Sequence, residues 1–221
     1  MDDDVTKGLA EDIALIKEAV RANSGFLRRI LAAGAMRSVA AVIGSVSIVL
    51  ALLWEGVVRH YGGLTAAPPW VRVALIGVTA LTLAAVGVQK AVTFTRAAKR
   101  VDRRYTFFRF ADELMDHPVF LSQGLVLLMA VLLVVAGARA GDGAWVFAAI
   151  AGGIGTVFAL YAAAFLLQTY LVVTLWLYAA AAVALFAPAV PVFVLVAGGF
   201  GMGFLVFAWA CRPERVQGPD H

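Results

Sequence analysis

The side chains best suited to chemistry form a short cluster: Asp112, Glu113, Asp116 and His117. On a helix the two aspartates lie four residues apart, as do Glu113 and His117, so each pair projects from one face. Carboxylates and an imidazole at that spacing can chelate a divalent cation. A single helix supplies too few ligands for a closed site, and the same residues fit a solvated acidic turn before Pro118. Metal binding is therefore left open, and no metal site is predicted.

Other patterns typical of enzymes do not occur in the sequence. It has no glycine-rich phosphate loop, no serine or cysteine paired with histidine, and no histidine motif within an apolar segment. Cys211 is the single cysteine, so an intramolecular disulfide is excluded. We predict no catalytic residue and no cofactor, and we expect that the protein is not an enzyme.

The composition of the chain indicates the fold class in which these residues occur. The chain has 221 residues, of which 62% are hydrophobic and only 14% are charged. Charged residues make up about a quarter of soluble domains. The predicted fold class is therefore all-α, a polytopic transmembrane bundle.

Six apolar segments are long enough to cross about 30 Å of hydrocarbon as helices. Pro68-Pro69 is predicted to prevent helix before Trp70, where the second segment begins. Pro118 can be an early helical position of the third segment, because proline is tolerated in the first turn of a helix. Gln168-Thr169 is predicted to be a very short turn. The predicted spans are 38–58, 70–92, 119–138, 144–166, 170–186 and 192–210.

A basic stretch at residues 96–109 orients the predicted bundle. Cytoplasmic loops are enriched in lysine and arginine, and with this stretch inside, only Arg59, Arg72 and Arg139 fall outside. We therefore predict a multi-pass membrane protein with both termini in the cytoplasm. The stretch is expected to contact anionic lipid head groups rather than nucleic acid, since its aromatic side chains suit the membrane interface.

Two segments outside the spans have the pattern of amphipathic helices. Leu9, Ile13, Ile16 and Val20 form one apolar seam near the N-terminus, and a second helix is predicted from Ser24 towards the bilayer. A similar seam runs from position 94 to position 108, in a helical extension of the second span. We hypothesise that the two seams pack together beneath the membrane, driven by apolar burial.

The chain divides into five parts on this interpretation. They are an amphipathic part at 1–37, a hairpin at 38–92, a basic helical segment at 93–118, a four-span block at 119–211 and a tail at 212–221. The four-span block resembles a tandem repeat of two hairpins offset by 46 residues, because Ala-Gly-Gly-x-Gly recurs at 151–155 and 197–201. These glycines allow close helix packing, either inside the bundle or in a homodimer through the glycine-rich spans.

The polar residues inside the spans indicate whether the protein could act as a transporter. Ionisable groups near the middle of the bilayer are typical of ion-coupled transporters, and none is predicted there. Glu55 and Arg72 are expected to form an ion pair at the outer interface, with either a structural role or a role at the entrance for a substrate or ion. A cavity lined by Thr156, Tyr161 and Thr174 would favour transport.

The segment Ile16-Lys17-Glu18-Ala19-Val20-Arg21-Ala22-Asn23-Ser24-Gly25-Phe26 resembles the opening of a group of six-span bacterial integral membrane proteins. Members of that group begin with a cytoplasmic amphipathic helix and have a basic segment after the second span. They also carry Gly-Phe-Gly in the last span, which Gly199-Phe200-Gly201 matches. The resemblance implies the architecture and no activity.

Taken together, these patterns and the resemblance favour a non-enzymatic interaction or regulatory module of the bacterial cytoplasmic (inner) membrane. The alternative is a small transporter or channel built from repeated helical hairpins. A dry, glycine-packed bundle with an apolar groove would support the first interpretation.

Overall fold

The computed structural model describes residues 33–101, 118–187 and 189–211 of the chain. Every regular element among these residues is helical, and six of their helices are long and apolar enough to cross a membrane. The predicted all-α, six-span architecture is therefore confirmed. The described residues do not include the N-terminal amphipathic segment, the part of the second seam beyond Val101 or the tail at 212–221.

The helices have slightly different bounds from those predicted. The first span lies in α1 and the second in α2, which continues beyond the apolar segment and confirms the predicted helical extension as far as position 101. The sixth span, Val192–Ala210, consists of α6, a π-helical segment and α7. The bounds are α1 Ala33–Tyr61, α2 Pro69–Val101, α3 Pro118–Ala140, α4 Gly143–Phe165, α5 Thr169–Phe186, α6 Val192–Leu195, the π segment Val196–Met202 and α7 Gly203–Ala210.

Local sequence explains where several helices begin. Pro69 and Pro118 are the first residues of α2 and α3, where a missing backbone N–H costs nothing. Asp142 caps α4 by accepting a 3.0 Å hydrogen bond from the backbone N–H of Trp145. Leu166 ends α4 in the left-handed conformation, with φ of 53°, which lets the chain reverse into α5 within a few residues.

The loops after α1, α3 and α5 lie at one end of the bundle, which we call the loop end. The guanidinium of Arg59, near the end of α1, lies 5.8 Å from the ring centre of Phe193 at the start of the sixth span. A Cβ added to Gly143 would lie 3.1 Å from Val192, which places the start of α4 at the same end.

The bundle has a dense centre and two peripheral helices. Helix α4 packs extensively on α5, and the sixth span packs on α1 and α5. In contrast, α2 packs mainly on α1, and α3 packs mainly on α4. No residue in the most apolar part of α3 is buried. The four central spans therefore form the core, and α2 and α3 present broad apolar faces to the surroundings.

The sixth span departs from regular α-helix over its glycine-rich part. Residues 196–202 are π-helical, whereas the related Ala-Gly-Gly-x-Gly segment of α4 is regular α-helix. The indole Nε1 of Trp176 donates a 2.9 Å hydrogen bond to the carbonyl oxygen of Gly198 inside the π segment. The two halves of the proposed repeat thus differ at their most similar sequence, and the duplication stays a hypothesis.

Candidate functional site

The acidic cluster at residues 112–117 lies outside the described residues, so the structure does not test it as a metal site. Within 33–101, 118–187 and 189–211, no group of three or more histidine, cysteine, aspartate or glutamate side chains is close enough to hold a metal ion. The candidates that remain are the polar groups inside the spans and the charged groups at the loop end.

The in-span hydroxyls named from the sequence all bond to protein groups. Thr156 Oγ1 lies 2.9 Å from the hydroxyl of Tyr178 and donates to a backbone carbonyl one turn earlier. The Tyr161 hydroxyl donates to Oε1 of Gln123 at 2.5 Å. Thr174 is buried, and its hydroxyl lies within hydrogen-bond distance of two backbone carbonyl oxygens. The structure does not bring these three side chains together around a shared cavity among those described below.

Aromatic side chains fill the space between α4, α5 and α7. Phe158 packs edge to face against Phe204 and Phe207, with ring centres 5.7 Å apart in both pairs. Phe207 also packs against Tyr170 at 5.1 Å, and both are fully buried. Such edge-to-face pairs contribute beyond the area that they bury. The region near Tyr161 is thus a packed aromatic core.

The charged residues at the loop end pair differently from the prediction. Glu55 forms its ion pair with Arg59, one turn along α1, so the predicted Glu55–Arg72 pair is wrong. The i, i+4 spacing within one helix holds these two groups together, which leaves the carboxylate already neutralised. Arg72 is partly exposed, and its buried Nε has no hydrogen-bond partner. No carboxylate of the described residues forms an ion pair with it.

A groove runs between α1 and α2. Near the loop end it forms a cavity of about 380 Å³, and deeper in the membrane a second cavity of about 230 Å³ continues it. Both cavities are lined by Leu53 and Val78, so they are parts of one groove. Between them, Trp54 Nε1 donates a 3.0 Å hydrogen bond to Thr79 Oγ1, which ties the two helices together.

Most of the glycines that the sequence singled out face neighbouring helices. A Cβ on Gly153 would contact Ala130, and one on Gly155 would contact Tyr178. In the sixth span, Gly199, Gly201 and Gly203 meet side chains of α4, α1 and α5 in turn. Close packing inside the bundle thus uses these positions. An added Cβ would meet nothing within 4 Å at Gly152 or Gly198.

Cys211 directly follows the sixth span and is fully buried. Burial raises the pKa of its thiol from 9.0 to about 11, although the Arg37 cation nearby opposes the rise. The thiolate is the reactive form. The structure therefore indicates an inert structural thiol.

We expect Cys211 to react with N-ethylmaleimide at least about a hundredfold more slowly in the folded protein than an exposed thiol does, because its pKa is raised to about 11 and its side chain is buried. The rate should rise about tenfold for each pH unit between 7 and 9. Mass spectrometry of detergent-solubilised protein measures the labelling, and denaturation in dodecyl sulfate supplies the fully reactive control. Rapid labelling of the folded protein would contradict the burial of this side chain.

Comparison with known proteins finds no match for the chain among family models, curated proteins or solved structures. The resemblance noted from residues 16–26 and 199–201 stays a prediction about architecture. In the part of the chain that the structure describes, six apolar helices are long enough to cross a membrane, as in a multi-pass membrane protein.

Proposed function

We propose that this chain is a non-enzymatic interaction or regulatory module of a bacterial inner membrane. The observation that carries the proposal is that the hydroxyls of Thr156, Tyr161 and Thr174, which a transport pathway could use, all bond to protein groups. A pathway through the bundle would need such groups to face a water-filled space. Here an aromatic core occupies the neighbouring interior.

The peripheral placement of α3 supports an interaction role. Helix α3 is attached along α4 through small residues, since Gly153 faces Ala130 and Gly137 faces Trp145. Its other faces are apolar and exposed, as at Leu125. Small residues let helices approach closely in membranes, and the exposed Gly124 of α3 has open space beside it. The exposed face of α3 is the surface that we propose for a partner helix.

The orientation in the membrane is part of the proposal. The basic residues at 96–109 favour the cytoplasm, where both termini would then lie. Contacts of this segment with anionic head groups and a homodimer through the glycine-rich spans are also proposals. Thiol labelling of an Arg100→Cys variant from outside intact cells tests the orientation, and strong labelling would overturn it.

A small transporter or channel is the second candidate, because the sixth span contains a π segment. Single π-helical turns inside α-helices occur frequently at functional sites, where they alter the hydrogen bonding of the backbone. The segment faces α1 at Gly201 and α4 at Gly199. A change in the backbone hydrogen bonding of the π segment would move α6 relative to α7 and could open a path between these helices.

Reconstitution into liposomes separates the two functions. We expect proton and potassium fluxes equal to those of protein-free vesicles, because the interior polar groups are already paired. The control is a Tyr178→Phe variant, which leaves Thr156 without its side-chain partner. A flux above the background that changes in this variant would support transport and contradict the proposal.

Photo-crosslinking in the native membrane tests the interaction directly. p-Benzoylphenylalanine at Leu125 of α3 is expected to give one discrete larger product. The matched control is Leu175 of α5, because both leucines are 67% exposed. A product near twice the 23.3 kDa mass of the chain would identify a homodimer. Equal products, or only lipid adducts, from both positions would overturn the proposed partner surface.

A further inference from the structure

The π segment gives the start of the sixth span an alternative register. Its backbone bonds join residues five apart instead of four, so Val196–Met202 takes up an extra residue compared with an α-helix. If the segment became α-helical, α6 would turn by about 100° and move by about 1.5 Å relative to α7, the step of one residue. Each residue of α6 would then take the place of the residue before it. Helix α7 would stay in position, because Phe204 and Phe207 are buried in the core.

Both registers are compatible with the burial pattern of α6. The five residues at 192–196 are all apolar. In the α register Val196 would take the buried position of Leu195, and Leu195 would take the exposed position of Val194. No polar side chain would be buried by the change. Hydrophobicity therefore does not decide between the two registers.

A cavity beside α6 has room for the largest side chain that would move. This cavity, which we call the turn cavity, has a volume of about 370 Å³ and lies between the α3–α4 turn, α4 and the start of the sixth span. Val192 lines it, and in the α register Phe193 would take that position. A cavity of about 150 Å³ is enough to hold a benzene ring. The position also faces Gly143, which has no side chain to obstruct a larger group.

Two contacts select the observed register. The indole Nε1 of Trp176 donates a 2.9 Å hydrogen bond to the carbonyl oxygen of Gly198, which lies in the half of the π segment next to α6. The guanidinium of Arg59 lies 5.8 Å from the ring centre of Phe193, within the range of a cation–π contact. Both contacts join the moving part to a helix that stays in place, so both would be lost in the α register.

We infer that the sixth span is a two-register device, in which Phe193 leaves Arg59 and enters the turn cavity when the π segment becomes α-helical. The indole of Trp176 is the latch that holds the π register. Trp176 is 39% exposed on α5, so the latch lies at the surface of the bundle. An acceptor on a neighbouring membrane helix would compete there for the indole N–H. The device does not depend on which of the two proposed functions the protein has.

Disulfide formation at position 143 reports the register. A Cβ at Gly143 would lie 3.1 Å from Cγ2 of Val192, so the pair Gly143→Cys, Val192→Cys should cross-link in the π register. The pair Gly143→Cys, Phe193→Cys should cross-link in the α register. Both pairs are introduced into a Cys211→Ala background and oxidised in native membranes, and peptide mass spectrometry measures the rates. In the protein with the latch intact, the 143–192 pair is expected to react faster.

Trp176→Phe removes the hydrogen bond of the latch and keeps an aromatic ring. It should accelerate cross-linking of the 143–193 pair about fivefold, the factor for one hydrogen bond of average strength, and should not accelerate the 143–192 pair. Trp54→Phe is the matched control, because it removes the indole hydrogen bond between α1 and α2, and it should change neither rate. Each cysteine pair is compared with itself, so the effect of the cysteines on the equilibrium cancels.

Gly198→Ala shifts the register without disturbing the indole. An added Cβ there would meet nothing within 4 Å. Since alanine has the higher α-helix propensity, the variant should accelerate the 143–193 pair about fivefold. This variant decides the matter if Trp176→Phe fails to fold. Gly152→Ala is the control, because that position is equally open and already lies in regular α-helix, so neither rate should change.

Fluorine NMR tests whether the ring of Phe193 enters the turn cavity. The detergent-solubilised Gly198→Ala variant, with 4-fluorophenylalanine at position 193, is expected to show a second fluorine environment. Ala138→Leu fills the cavity from α3 and should abolish this environment. Ala136→Leu enlarges a residue of the same helix that does not line the cavity, so the second environment should persist.

Three results would overturn the inference. They are no faster cross-linking of the 143–193 pair in Trp176→Phe or in Gly198→Ala, an equal rise in rate for both cysteine pairs, and a second fluorine environment that persists after the cavity is filled. The first would mean that the sixth span has a single register. The second would indicate general loosening of the span, and the third would place the ring of Phe193 outside the cavity.

Discussion

Replacing Gly44 with alanine is expected to destabilise the bundle by about 1–3 kcal/mol, the usual cost of overpacking, and Gly44→Leu is expected to prevent folding. A Cβ at Gly44 would lie 2.7 Å from the carbonyl oxygen of Gly201 and 2.9 Å from the side chain of Leu205. The carbonyl belongs to the backbone of the sixth span, so no change of rotamer relieves the contact. Helices α1 and the sixth span would have to separate.

The matched control is Gly56→Ala in the same helix. An added Cβ at Gly56 meets nothing within 4 Å, so this variant should gain up to about 1 kcal/mol from better helix propensity. The same gain applies at Gly44, and the difference between the two variants therefore isolates the steric cost. Unfolding of the purified protein by increasing dodecyl sulfate in mixed micelles, followed by circular dichroism, measures both.

A second comparison distinguishes a clash of the added Cβ with the backbone from a clash with a side chain. A Cβ at Gly201 would collide with Ile48, which is a flexible side chain. Truncation of that side chain in a Gly201→Ala, Ile48→Ala double variant should recover part of the stability lost in Gly201→Ala. The carbonyl that obstructs Gly44 offers no such rescue. Equal stability of Gly44→Ala and Gly56→Ala would contradict the close approach of α1 to the sixth span.

The spans were predictable from the sequence because hydrophobicity and prolines determine them locally. Pro69 and Pro118 begin α2 and α3 in the structure, and the sixth span has the predicted bounds, Val192–Ala210. Helix α1 extends past the predicted end to Tyr61, because Arg59 and His60 continue the helix as basic residues in its last turn. Whether a segment forms a spanning helix can therefore be predicted from its own residues.

The pairings within the bundle were less predictable, because they depend on which helices meet. Glu55 and Arg72 are both at the loop end, but Glu55 pairs with Arg59, which its own helix places beside it. The bond between Tyr161 and Gln123 joins residues 38 positions apart on α4 and α3. No local pattern connects them, although polar side chains in apolar spans generally require a partner.

The glycine pattern predicted close packing but not its geometry. Ala-Gly-Gly-x-Gly occurs in α4 and in the sixth span, yet only the latter copy is π-helical. In the sixth span the successive glycines face Phe147, Ile48 and Trp176, which come from three different helices. We infer that these tertiary contacts, rather than the motif itself, stabilise the wider turn. The Trp176 hydrogen bond to Gly198 adds to them.

The second large effect is expected in the aromatic core, where Phe207→Ala should destabilise the protein by about 3 kcal/mol. In a membrane the transfer of apolar surface from lipid contributes little, since lipid chains are as apolar as the core. The cost comes instead from the cavity and from lost contacts with Phe158 and Tyr170, whose rings lie 5.7 and 5.1 Å away.

Leu175→Ala on α5 is the control for this argument, because the leucine is 67% exposed and faces the surroundings. Its truncation removes a large apolar side chain without leaving an internal cavity, so the change in unfolding free energy should stay within about 0.5 kcal/mol. Phe207→Leu should cost less than Phe207→Ala, since it leaves a smaller cavity. Unfolding in mixed micelles compares the three variants. Similar losses in Phe207→Ala and Leu175→Ala would mean that the interior between α4, α5 and α7 is not closely packed, and a water-filled pathway there would again have to be considered.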